Sequence, residues 1–143
     1  MMHMIKLCVG VATLEELESY REERAHWWGA DYGEDIHVHR TRMMPKRAAE
    51  IEGRGSIYWV ISGVIRARQP ILRLAAATDS EGRSCCDIIM SLQMVRVVPR
   101  PKRPFQGWRY LEPREAPSDL AQAGFEEGGS LELAEELAEL GLI

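Results

Sequence analysis

With 143 residues, 45% hydrophobic and 28% charged, the chain has the size and composition of one globular domain, which excludes wholesale disorder. No apolar run reaches the roughly 18–20 residues of a membrane span, so no membrane partner is expected. The net charge of −4 conceals an asymmetry: residues 36–110 hold 14 Lys and Arg against five acids, between two acidic ends, and a basic middle of this kind points to a polyanion partner unless the acidic ends pack beside it.

Taken in order, the start MMHMIKLCVGVATLEELE has neither a basic leader nor a processing site and reads as native structure, with a buried strand over Ile5–Val11. Thr13 with Glu16 three residues on forms a capping box, so an amphipathic helix is predicted from Leu14 towards Trp28. A loop, GADYGED, follows. Ile36 to Arg42 alternates as a strand, with Ile36, Val38, Arg40 and Arg42 on one face and His37, His39 and Thr41 on the other. Pro45 suits the first turn of a short helix over 45–52, ended by Gly53 and Gly55.

Ser56 to Ile61, SIYWVI, is rich in β-branched and aromatic residues and is the clearest strand. Ser62-Gly63 reads as a bulge or bend, after which Val64–Gln69 continues as strand until Pro70 forces a bend or an edge position. Strands over 71–78 and 84–91 flank a hairpin turn at 79–83, and a further strand covers 93–98. Prolines 99, 101 and 104 impose an extended segment, and Ser130 caps a final helix whose polar face is wholly acidic. The reading is one domain, with a core over 1–112 and an acidic linker and helix over 113–143. That last helix is a candidate contact for a protein partner or a second copy of the chain. The three cysteines, two of them adjacent, form no disulfide framework and fit a reducing cytoplasm.

Several runs, KLCVGV at 6–11, TRMMPKR at 41–47, GSIYWVISGVIRARQPIL at 55–72, RPFQGWRYL at 103–111 and LAELGLI at 137–143, resemble a small bacterial family of unknown function, domain of unknown function 1489, over nearly the whole chain. A strand, a short helix opening on a basic turn and then G-S-x-Y-W-V-I are more distantly similar to the PUA-like superfamily and its ASCH branch. That resemblance implies an α+β fold around a PUA-like β-pseudo-barrel of mixed or antiparallel strands, here with flanking acidic helices. It also implies RNA binding. Lys46, Arg47 and Glu50 lie where the ASCH pattern has its polar signature, although Met44 stands where that pattern has glycine and the spacing to Arg54 differs.

The candidate site is a basic, aromatic-lined surface for RNA, with tRNA or ribosomal RNA as targets. Its cations are Arg40, Arg42, Lys46, Arg47, Arg54, Arg66, Arg68, Arg100, Lys102, Arg103 and Arg109. Its aromatics are Tyr58, Trp59, Phe105 and Trp108. Cations hold phosphates and exposed rings stack on unpaired bases. Tyr58 and Trp59 straddle a strand, so one of the two is expected in the core. Gln69 and Gln106 are candidate readers of a base edge, while Phe105–Tyr110 is equally a tight turn plugged by Trp108.

His37-x-His39 is a weak metal pattern, and half-exposed strand histidines without metal are the stronger expectation. Of Cys85 and Cys86, one sulfur is expected inside and one outside. No phosphate loop, dinucleotide fingerprint or nucleophile elbow is present, so no cofactor and no catalytic residue is assigned. Glu50 beside Lys46 is the one acid with a place in a nucleotide-acting enzyme, and an i, i+4 surface pair is its commoner meaning.

Overall fold

The computed structural model describes residues 1–21 and 36–122. In chain order these form β1 (His3–Leu7), helix α1 (residues 14–21), β2 (Ile36–Thr41), α2 (Ala48–Ile51), β3 (Ser56–Ile61), β4 (Val64–Thr78), β5 (Ser84–Ser91), β6 (Val95–Pro101), β7 (Trp108–Leu111) and a 3₁₀ turn, Pro113–Glu115. The continuation of α1, the GADYGED loop and the final acidic helix fall outside the described residues. No described helix is long and apolar enough to cross a membrane.

The fifteen-residue β4 organises the sheet, because it serves two sets of partners in succession. Its first half pairs with β3 as far as Ser56↔Pro70 and with β6, and its second half pairs with β5 from Ile71 onward. Pro70, which has no N–H to give a ladder, sits at the hand-over inside this unbroken strand. The full order is β2-β5-β4-β3-β1-β7, with β6 beside β4. The β1–β3 pair is parallel and the others are antiparallel, so the sheet is mixed.

The sheet is open, in contrast to the closed barrel implied by the resemblance. β2 and β7 are its two ends and do not pair. Between them runs the 42–47 link, where Pro45 has no N–H, and the Arg47 N–H reaches β7 by donating to the Tyr110 hydroxyl at 3.1 Å. A side chain bridges where a ladder would have closed the sheet.

Strand alternation divides the core. On the inner face Met4, Ile57, Trp59, Ala67, Cys86, Ile88 and Met90 pack together, with Leu14 and Leu17 of α1 set on them. On the outer face of β1, β3 and β4, Ile5, Tyr58, Val60 and Ile65 join Val97, Phe105 and Leu111. Residues 112–122 strap this second cluster: Val98 N–H donates to the Ser118 carbonyl, Leu120 N–H donates to the Arg96 carbonyl, and Leu120 is buried. Each large apolar side chain so buried contributes about 1.5–3 kcal/mol.

The capping box forms with a small shift. Glu16 N–H donates to Thr13 Oγ1 at 3.2 Å, while the Glu16 carboxylate accepts from Ala12 N–H instead of from Thr13. β1 starts and stops earlier than its apolar run, since residues 9–10 turn the chain and Gly10 has a φ of +89°.

Ser62-Gly63 is a hairpin turn and not a bulge. Its φ values of +50° and +80° are those of a primed two-residue turn that reverses β3 into β4. The irregularities in these ladders fall instead at Trp59/Val60 and Ile65/Ala67. The 79–83 turn forms as read, with Asp79 Oδ1 accepting from the Glu81 and Arg83 N–H groups. Gly55 allows a close approach that no other residue permits: a Cβ there would lie 2.0 Å from the Met2 carbonyl oxygen.

Candidate nucleic-acid interface

The gap between the two ends of the sheet is a cleft of about 1050 Å³. Period-two alternation explains its walls. The registers Met4↔Tyr110 and Lys6↔Trp108 place Lys6, Trp108 and Tyr110 on the inner face of β1 and β7. Across the gap, His39 and Thr41 belong to the inner face of β2, which continues into Arg42, Met43, Met44, Pro45 and Lys46. The start of β5, Ser84 and Cys85, also lines it, together with Arg40, Asp79, Arg83 and Gly107. Trp108 and Tyr110 meet edge to face, with centroids 5.0 Å apart. Trp108 is half-buried and Tyr110 is exposed, so both present ring surface to the cleft.

The cations around this gap fall into two groups. Arg40 makes a two-pronged pair with buried Asp87 at 2.7 and 3.1 Å, Arg47 does the same with Glu50 at 2.6 and 2.7 Å, and Arg83 pairs with Asp79 and Glu81. Lys6, Arg42 and Lys46 have no ion pair among the described residues, and all three line the cleft. They are the cations of the lining without an ion pair among the described residues.

Below them, His39 stands edge-on to Trp59 at 5.9 Å. Burial, with the nearby charges of Lys6 and Arg21, pushes its pKa down to about 4, so the ring is neutral at physiological pH. Burial also pushes the Cys86 thiol up to about 11, with the Asp87 charge adding to it, and Cys86 Sγ lies 3.6 Å from Met44 Sδ. Both Cys85 and Cys86 are buried, where one of the two was expected outside. A thiol held protonated in this way is no nucleophile.

The other predicted residues are dispersed, and several are corrected. Tyr58 and Trp59 are both buried, at 4% and 1% exposure, on opposite faces of β3, so neither offers a ring to a base. Gln69 is fully buried: its Oε1 accepts from Trp59 Nε1 and its Nε2 donates to the Ser91 carbonyl, each at 2.9 Å. It satisfies the core and reads nothing outside. Arg68 lies on the strapped face, where it grips Asp119 through two bonds of 2.9 Å and donates a third to Ser56 Oγ. Arg66 is half-buried on β4. Arg109 stacks its guanidinium 4.8 Å from the buried Phe105 ring, and Arg100 donates to the Glu115 carbonyl.

Arg54 is exposed beyond α2. Lys102, Arg103 and Gln106 occupy the β6–β7 loop, Lys102 half-buried and the other two exposed. Glu50 pairs with Arg47, not with Lys46 as read from the i, i+4 spacing. His37 is buried against the Arg21 guanidinium instead of half-exposed. No group of three or more His, Cys, Asp or Glu among the described residues is placed to hold a metal.

Of the predicted set, then, Arg40, Arg42, Lys46 and Trp108 come together, joined at the rim by Arg47. Lys6, His39 and Tyr110 were not singled out as binding residues. The available signal for Lys6 was its parity with Met4 on a short strand, and parity identifies a site only when the register with β7 is known.

The model of a protein family described as a protein of unknown function, DUF1489, matches residues 4–143. No curated protein and no solved structure matches the chain.

Proposed function

Because the chain belongs to the DUF1489 family, whose description assigns no activity, we propose a function from the cleft itself: it binds an unpaired segment of RNA, without catalysis. One observation carries this reading. Lys6, Arg42 and Lys46, all without an ion pair among the described residues, share a cleft of about 1050 Å³ with Trp108 and Tyr110. Cations spaced around aromatic surface are what an unstacked base and its flanking phosphates require. The volume is at the upper end of the roughly 300–1,000 Å³ of ligand pockets, room for one or two nucleotides.

The likeness of the sequence to PUA-like and ASCH domains, which commonly bind RNA, supports the same reading, with the open end of the sheet as the binding mouth. A bacterial cytoplasm, where free thiols persist, is the setting proposed for it. An enzymatic reading has less support, since Glu50 is tied to Arg47 and His39 is too weak a base at a pKa of about 4.

The test is fluorescence anisotropy with labelled single-stranded RNA over a series of salt concentrations. Binding is expected to weaken with salt, and Arg42→Ala with Lys46→Ala is expected to reduce the log–log slope by about 0.7 per cation removed. Wild-type protein that binds no RNA at low salt overturns the proposal.

A further inference from the structure

His39 is the one polar ring that the cleft presents from its floor. It meets Trp59 in a T-shaped contact, 5.9 Å between centroids, which orients it. Its ring nitrogens make no hydrogen bond among the described residues, and neither is sealed away from the cleft. A buried imidazole normally finds a partner within the protein, as His3 does through Nδ1, which accepts from Ser56 N–H at 2.9 Å. His39 keeps both free, beside Thr41 and facing the wall formed by Lys6 and Trp108.

We propose that His39 is the base-reading residue of the cleft, hydrogen-bonding the edge of an unpaired nucleobase that stacks against Trp108. This deepens the RNA reading and rests on it. The physical division is simple. Lys6, Arg42 and Lys46 meet phosphates and carry no sequence information, whereas a neutral imidazole offers one donor and one acceptor, and the ligand selects the tautomer. Stacking tolerates every base, so discrimination has to come from a polar group at the floor. The ring stays neutral across the physiological range because burial and the charges of Lys6 and Arg21 oppose its protonation. It therefore always offers one donor and one acceptor, and a base whose edge complements one of its two tautomers gains while others leave a nitrogen unmet.

The experiment measures binding of oligo(A), oligo(C) and oligo(U) to wild-type protein and to His39→Phe, which keeps a ring against Trp59 and removes both nitrogens. Wild type is expected to favour one base by about tenfold, the worth of one or two well-placed hydrogen bonds. The variant is expected to bind all three alike with an unchanged salt slope. A purely structural role would not produce that pattern, because lost folding lowers every affinity together.

If wild type shows no preference, or the variant retains it, the assignment to His39 is overturned while RNA binding stands. If no oligomer binds wild type, the RNA reading falls as well. A measurement on wild type alone guards against a variant that does not fold. The imidazole ¹⁵N resonances of His39 are expected to shift on saturation with the preferred oligomer, and unmoved resonances overturn the proposal.

Discussion

The two faces of the sheet carry the same kinds of side chain and put them to opposite use. On the strapped face Arg68 is held by Asp119 and Ser56, and Tyr58 and Phe105 are buried under the returning chain. On the cleft face Lys6, Arg42 and Lys46 have no ion pair among the described residues, and Trp108 and Tyr110 face the gap. Arginine beside an aromatic ring is thus no signature of binding by itself. What separates the faces is whether the fold returns an acid and a length of backbone to cover them. Residues 112–122 do so on one face; on the other α1 packs on the core, and among the described residues no acid pairs with Lys6, Arg42 or Lys46.

Variants sharpen that contrast, beginning with the largest expected loss of stability. Trp59→Ala removes a fully buried indole and strands Gln69 Oε1, and is expected to cost about 3–5 kcal/mol in urea unfolding. A cost under 1 kcal/mol would contradict its placement as a fully buried, hydrogen-bonded ring of the inner core.

Arg68→Ala leaves Asp119 and Ser56 without their partner on the strapped face. Its expected cost is about 1–3 kcal/mol, with the salt slope of RNA binding unchanged. A reduced slope would place Arg68 on the binding surface and break the division between faces.

A smaller loss should accompany acidification. The folded pKa of His39, about 4, lies below its ordinary 6.5, because burial and the charges of Lys6 and Arg21 disfavour the imidazolium. Between these values the unfolded chain binds the extra proton. His39 therefore contributes stability that is fully present above pH 6.5 and is lost as pH falls towards 4. His3, lowered by burial and by Arg68, acts in the same direction. Thermal unfolding of His39→Phe should decline less steeply than wild type over that window, and an identical decline would contradict the assigned shift.

Smallest of all is the effect of Arg42→Ala, expected to leave stability within about 0.5 kcal/mol while weakening RNA binding. A large loss of stability would show that Arg42 serves the fold as Arg68 does.

Local features were legible wherever neighbouring residues decide them. The Thr13–Glu16 cap, the SIYWVI strand and the turn at 79–83 each follow from side chains within a few positions. At Ser62-Gly63 a bulge and a bend stay open in the sequence, because Ser at a positive φ is uncommon and an apolar run on either side suits a bulge as well as a hairpin. Gln69 looked like a reader because an amide is equally suited to a base edge or to a buried indole N–H, and only Trp59 across the ladder decides between them.

By itself the sequence determined a β-rich α+β chain with a charge-segregated middle, because propensity, capping and turn chemistry act over a few residues. It also supplied every cation and ring that the cleft contains. Only the tertiary structure decided which of them face one another. Strand pairing sets register between residues far apart in the chain, and a shift of one residue exchanges the faces. Lys6 and Trp108 lie more than a hundred positions apart and become neighbours only through the pairing of β1 with β7. Arg68 and Asp119, separated by 51 positions, spend their charges on each other for the same reason.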